Sequence, residues 1–495
     1  MSNIKVLQGT AVAVVGVALA TTLYIVTRRR TKEIPSDYVY PIIGNMLQIA
    51  KYAGKDLVHE YFLFVGEKYG KIARFVVGTE RIMVNDAAEA KRILLSSEFE
   101  KTVDTRNFAG IAENGLIGLD GDKHKLHRKA LQPAFGPSRL RHAFSQSVTS
   151  TKQLIEQWKS QKGDINCNLL HNMNCITLDV IGKVALSQDL RMVESAANPT
   201  PEGQLLKSQM NTVVKTLMKR LSVPSMLWPL FGLSKADINR KTKLMLKSIG
   251  APIDMSAKTV NEKFEKTIHW DVMDRLLAGN VGAKGVGVVF NDEEIADETF
   301  VFFLAGSDTT ALTLTNLFVQ LADHPDVVKK LQAEIDAVIG AKGVFTQEML
   351  PQLKFLDCAV KEVMRLLPVA LAVQARTPVA PTTLCGYQVY PGQSISINTG
   401  AIHRNPEYWH HPDKFWPERW ESDFMPVPGS YVPFGDGIAN CIGQRLANLE
   451  SRTVAALLLQ SFDIELPEGQ DLARTTVSLT GYKPGLQFRF KPRAK

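Results

Sequence analysis

The chain has 495 residues and a mass of 54.8 kDa, with 45 % apolar and 22 % charged residues. That mix excludes a disordered chain, a collagen and a polytopic membrane protein, and 5 cysteines over this length exclude a disulfide mini-domain. Of the formal charge of +8, residues 1–32 supply five positive charges and no negative one, which leaves +3 on the rest and no basic footprint for nucleic acid.

The first predicted element is a membrane anchor. Residues 6–27 are 22 positions without a charge. A helix of that length, at about 1.5 Å per residue, crosses a hydrocarbon core of about 30 Å. Arg28, Arg29, Arg30 and Lys32 follow at once. A cleaved signal peptide carries its charges before the apolar run. The reverse order here reads as stop-transfer, with the basic cluster cytosolic and residues 1–5 lumenal. A buried core helix is the other reading, but such helices rarely lack a polar face for so long. The expected organisation is an anchor with its basic flank over residues 1–32 and one domain over 33–495. Cys167, Cys175, Cys358, Cys385 and Cys441 are expected to be reduced on a cytosol-facing body.

Beyond the anchor, Pro41-Ile42-Ile43-Gly44-Asn45 reads as a turn-rich opening. Strand-like alternation runs over 74–84 and 384–398, the second with a type II turn pair at Pro391-Gly392. Helical periodicity dominates from about 85 to about 370. Residues 279–287 form a short Gly-rich loop. The fold class is mainly α with a smaller β part.

One helix stands apart. Asn291-x-x-Glu294 is a capping-box start and His324-Pro325 is a stop. About 30 residues of helix span about 45 Å, enough to cross a domain. Phe300, Val301, Phe302, Phe303 and Leu304 make it apolar all round, yet its middle reads Ala305-Gly306-Ser307-Asp308-Thr309-Thr310. Glycine costs about 1 kcal/mol in a helix interior, and a buried aspartate costs several kcal/mol unless bonded or wetted. Either neighbours satisfy Asp308, or the polar cluster serves chemistry.

The sharpest feature is Phe434-Gly435-Asp436-Gly437-Ile438-Ala439-Asn440-Cys441-Ile442-Gly443. A helix follows with Ile442, Leu446, Leu449, Thr453 and Ala456 on one stripe. Free N–H groups at its start favour a thiolate at Cys441. With no Cys or His at zinc spacing, the sulfur fits one bond to a metal whose other ligands are not protein, as in haem. A buried structural cysteine and a nucleophile are the other readings; a nucleophile lacks a base within this loop.

This loop resembles the haem-binding signature of the cytochromes P450, the haem-thiolate monooxygenases. Ala305 to Thr310 is similar to that family's oxygen-activation motif. Glu362-Val363-Met364-Arg365 resembles its Glu-x-x-Arg helix, and Phe415-Trp416-Pro417-Glu418-Arg419-Trp420 its Pro-Glu-Arg segment. Gly121-Asp122-Lys123-His124-x-x-x-Arg128 with Pro133-Ala134-Phe135 resembles the helix that meets a haem propionate.

The resemblance implies a cytochrome P450 fold, haem b (iron protoporphyrin IX) and roles for particular residues. Cys441 becomes the proximal iron ligand, with Phe434 packed beside it and Gly435, Gly437 and Gly443 allowing close backbone approach. Asp308 and Thr309 become an acid–alcohol pair that brings protons and an ordered water to dioxygen. Glu362, Arg365 and Arg419 become a buried structural network; a surface i, i+3 pair is the alternative. Arg128 and Arg376 become propionate partners. The sequence departs from the family at Ala439, where Arg or His is usual, and at His124, where Trp is commoner. As a cation, His124 predicts haem retention that weakens with rising pH; as a neutral donor, it predicts none.

The implied substrate pocket is lined by Phe302, Ala305 and Thr309, by Val369, Leu371 and Val373, and by Leu479 with Thr480. An apolar pocket and an anchor suggest a lipophilic substrate such as a steroid, fatty acid or xenobiotic. The implied electron donor is NADPH–cytochrome P450 reductase, and the implied address is the endoplasmic reticulum membrane, single-pass, with a cytosolic catalytic domain. Lys123, Lys125 and Lys129 read either as a docking face for an acidic partner or as a plain solvated face. The activity expected is a monooxygenase. The alternatives are a haem-thiolate isomerase or peroxide-rearranging enzyme without a reductase, whose kind often lacks the acid–alcohol pair, and a non-catalytic haem sensor.

Overall fold

The computed structural model describes residues 33–493 apart from 41–43, 78, 103–111, 162, 198–200, 223–224, 249–269, 279–287, 341–342, 422–423, 477–478 and 484. The expected anchor, the Pro41-Ile42-Ile43 turn and the Gly-rich 279–287 loop lie outside the described residues. Among the described residues no helix is long and apolar enough to cross a membrane.

Helices dominate, as expected, and the one from Asp292 to Ala322 is the longest described, at 31 residues. Its start is a full capping box: Asn291 Oδ1 accepts from Glu294 N at 2.9 Å, and Glu294 Oε2 accepts from Asn291 N at 3.0 Å. Asp292, Glu293 and Glu294 put negative charge on its first turn, against the positive end of the dipole. It ends just before Pro325, which opens the next helix, Pro325–Ile339. Phe300, Val301, Phe302 and Phe303 are all buried, so this central helix has no solvent face there. It lies against the largely buried helix Leu169–Ala185. The approach is tightest at Gly306, where an added Cβ falls 2.5 Å from Ile181 Cδ1. The glycine in the polar cluster thus has a packing reason that the sequence did not reveal.

Two further helices carry the Glu362–Arg365 pair and the stripe that follows Cys441. Lys354–Leu366 buries ten of its residues, among them Glu362 and Arg365, and stops before Pro368. Gln444–Ser461 packs on Pro137–Lys159, and Leu446, Leu449, Thr453 and Ala456 are buried on the predicted stripe.

The largest sheet has five strands in the order Ile72–Val77, Thr79–Val84, Ser394–Asn398, Ala372–Pro378, Phe99–Lys101. Only the contact between Thr79–Val84 and Ser394–Asn398 is parallel. The 74–84 alternation proves to be parts of two hairpin strands, because both keep the same period of two. The 384–398 run is likewise split, into Tyr387–Val389 and Ser394–Asn398. The expected turn lies between them, with Gly392 at φ 84° as a type II turn requires. All five cysteines are free.

Candidate haem-thiolate site

The Cys441 loop is held by its own backbone. Cys441 N donates to Phe434 O at 2.9 Å, and Asp436 Oδ1 accepts from Gly437 N at 2.7 Å. Gly437 has φ 71°, and a Cβ there would lie 2.2 Å from Leu94 O, so no other residue fits. Cys441 is exposed, two residues before the Gly443 cap of the Gln444–Ser461 helix. Its thiol is nevertheless pushed up, first by the low-dielectric surroundings, against the N–H groups of Gly443 and Gln444 and the charge of Arg128. The N–H groups at the helix start act in the expected direction, and a metal cation bound at the sulfur would favour the thiolate further.

Behind the loop stands the Glu362 network, complete as predicted. Arg365 donates Nε to Glu362 Oε2 at 3.0 Å and Nη2 to Oε1 at 2.9 Å, and Arg419 Nε donates to Oε1 at 2.9 Å. Trp416 N and Trp420 Nε1 add two bonds to the same carboxylate, at 3.0 and 2.8 Å. The guanidinium groups also reach backbone: Arg365 to the carbonyls of His403, Pro412 and Lys414, and Arg419 to those of His410 and His411. With Glu362 and Arg365 at 0 % exposure, the surface-pair alternative fails. The tryptophans and carbonyls were not foreseen, since only the folded meander brings them in.

A group of cations gathers beside the loop. Arg128 donates to Asn440 O and to Asn440 Oδ1, both at 2.6 Å, so it grips the residue that precedes Cys441. Arg376 is buried, and the strand register sets it directly opposite Lys101, also buried. Lys101, missed from sequence, donates to the carbonyls of Leu116 and Ile117 at 2.8 and 3.3 Å and to that of Leu119. Burial, then Arg376, pulls its ammonium down to about 7. Its signal was a lysine on the inner face of a short Phe-Glu-Lys strand, legible only once the strand is known. His124 is buried and pulled down to about 4, first by burial and then by Lys101, Arg128 and Arg376. Burial and three neighbouring cations hold the ring toward its neutral form, the second of the two readings of His124.

Like charges directly across a strand pair are unfavourable. Lys101, Arg128 and Arg376 together therefore fit a dianionic group such as the two propionates of haem. Nearby, His127 Nδ1 lies 2.9 Å from buried Glu298 and ties the Gly121–Leu131 helix to the central helix. Lys123 bonds Glu294 at 2.7 Å and Lys125 bonds Asp122 at 2.9 Å, so two of the three lysines read as a docking face are already paired.

The distal cluster behaves differently. Ala305 is exposed although it sits midway along the central helix, so a hollow lies against it. Thr309 Oγ1 donates to Ala305 O at 2.8 Å, which commits its proton to the helix and leaves its lone pairs facing outward. Asp308 has no hydrogen bond among the described residues. Burial alone pushes its carboxyl up to about 6. Neighbours do not satisfy this aspartate.

The other pocket positions partly converge. Thr480 N donates to Val369 O at 2.9 Å, which joins the two predicted lining segments. A Cβ at Gly481 would meet Leu312 Cδ2 at 2.5 Å, so the Thr480–Tyr482 strand rests on the central helix. Val369, Leu371 and Leu479 are half-buried. Phe302 is buried and stacked on Phe135, with ring centroids 5.6 Å apart, inside the core. Val373 lies on the Ala372–Pro378 strand; its side chain is outside the described set.

A cysteine at the mouth of a capped helix, cations that fit two carboxylates, and a hollow against a long helix define a haem-thiolate protein. The cytochrome P450 family model matches residues 34–486, so the chain belongs to the cytochrome P450 family, and haem is its cofactor. It is 28 % identical over 473 residues to a self-sufficient cytochrome P450 monooxygenase, CYP505E1, of Aspergillus niger, covering 93 % of this chain and 41 % of that protein. It is 27 % identical over 449 residues to cytochrome P450 3A40 of Oryzias latipes, covering 88 % and 86 %. It is also 27 % identical over 478 residues to a putative cytochrome P450, CYP13A3, of Caenorhabditis elegans, covering 86 % and 88 %. The chain thus spans less than half the length of the self-sufficient relative.

Proposed function

We propose that this protein is a monooxygenase that inserts one oxygen atom of dioxygen into a lipophilic substrate. The observation that carries this reading is Asp308, a carboxyl in the middle of the core helix that burial raises to about 6 and that has no hydrogen bond among the described residues. Haem, when bound at Cys441, supplies the centre at which dioxygen is reduced. The chain's own part is then threefold. Cys441 holds the cofactor from one side, while Lys101, His124, Arg128 and Arg376 hold its carboxylates. Thr309, with its hydrogen committed to Ala305 O, accepts a hydrogen bond and so orients a water. Asp308, poised near neutral pH, takes protons from solvent and passes them on. A haem-thiolate isomerase has no use for this acid–alcohol pair, which favours the monooxygenase.

Electrons come from an external NADPH-dependent reductase, most simply NADPH–cytochrome P450 reductase. One relative is named self-sufficient, and this chain spans 41 % of its length. Substrates are steroids, fatty acids or xenobiotics, in keeping with the apolar 369–373 segment. Residues 6–27 anchor the chain in the endoplasmic reticulum membrane with the catalytic domain cytosolic. Leu230 and Phe231, exposed at 79 % and 62 %, offer a second apolar contact for that surface. The test is product formation from a lipid and steroid panel, preceded by a spin-state titration for binding. Turnover that requires both NADPH with reductase and oxygen is expected. Turnover without them returns the isomerase reading.

A further inference from the structure

His403 is wholly buried and belongs neither to the Glu362 network nor to the Cys441 loop, yet it touches both. Its carbonyl accepts from Arg365 Nη1 at 2.8 Å. Its Nε2 accepts from Val432 N at 2.9 Å, two residues before Phe434. Phe434 O in turn accepts from Cys441 N. The ring stacks on Tyr431 at 5.4 Å, and Tyr431 hydroxyl donates to Lys361 O at 3.2 Å, so the imidazole cannot swing away. A continuous line thus runs from Glu362 through Arg365, His403, Val432 and Phe434 to the amide of Cys441.

The second ring nitrogen, Nδ1, lies against the backbone of Arg365 and Met364. An apolar side chain at 403 would orphan the buried Val432 amide. Accepting from Val432 with Nε2 fixes the proton on Nδ1. Burial, then Arg365, keeps the ring neutral by pulling it down to about 3, so the acceptor survives at any physiological pH.

We propose that His403 is a positioning residue for the thiolate: its Nε2 anchors the segment that leads into the Cys441 loop and thereby holds the sulfur on the iron. The inference rests on the haem-thiolate reading and goes beyond it, because nothing in the motif itself requires an imidazole at this place.

The test uses the full-length holoprotein and the ferrous carbonyl spectrum. The rate at which the red-shifted thiolate band converts to the unshifted band is followed in mild denaturant. His403→Gln retains an acceptor of similar reach. His403→Leu removes it. The Leu variant is expected to convert about tenfold faster, the scale of outer-shell effects at metal sites, and the Gln variant within about twofold of the parent. Equal rates in Leu variant and parent overturn the proposal. So do equally fast rates in both variants, which mark a filler of volume only. Should the Leu variant hold no haem, His403→Asn, polar but one methylene short, carries the same comparison with Gln. A parent that never shows the red-shifted band instead refutes the haem-thiolate reading.

Discussion

Glu362 and Asp308 are both carboxylic acids inside the molecule, and the fold treats them in opposite ways. Glu362 accepts five hydrogen bonds, from two arginines and two tryptophans. Asp308 accepts none among the described residues and is held near neutrality by burial. The first pattern is what a buried charge needs in order to be structural. The second marks Asp308, beside a hollow, as a candidate for moving a proton. The contrast separates architecture from chemistry without any appeal to the ligand.

The strongest way to break the contrast is at Glu362. Glu362→Ala leaves two buried guanidinium groups without their carboxylate and is expected to cost about 3–5 kcal/mol, read by denaturant titration, with haem incorporation lost alongside. Asp308→Asn is expected to do the reverse. Turnover falls by about 100- to 10,000-fold, as for loss of a proton-transfer group, while Tm and haem content stay at or above the parent. A large Tm loss in Asp308→Asn refutes the assignment. Arg128→Ala frees Asn440 and removes a cation; haem transfer to an acceptor protein is expected to speed up by about 10- to 100-fold.

A pH series sharpens the comparison. The folded Asp308 carboxyl lies near 6 against an ordinary 3.8. Between these values the unfolded chain has released a proton that the folded chain keeps, so stability falls as pH rises from about 4 to about 6. Asp308→Asn is expected to flatten that part of the Tm profile. At the small end, Lys125→Glu disturbs only the exposed pair with Asp122 and is expected to leave Tm and haem retention unchanged.

The capping box at Asn291, the stop before Pro325 and the stripe after Cys441 were legible because each is a local pattern with a local cause. The Glu362–Arg365 pair was legible for the same reason: three residues on a helix face each other. Lys101 was not, because its environment is made by Arg376, 275 positions away in the chain and adjacent only through strand register. His403 and the Trp420 bond escaped for the same cause. The protonation of His124 stayed open in the sequence because the three cations that surround it come from three different segments. At Cys441 the helix terminus acts in the expected direction, against low-dielectric surroundings that the motif does not show.

Gly306 and Ile181 occupy what amounts to one shared volume, contributed by two helices. The position of Thr309 along the wall of the hollow is therefore set by a residue outside the motif. A methyl added at 306 displaces the helix unless 181 gives up bulk, so the two sites can change only as a couple. Gly306→Ala is expected to disturb regioselectivity by tilting the wall, and Ile181→Ala, which leaves only a Cβ at 3.4 Å, to restore it in the same molecule.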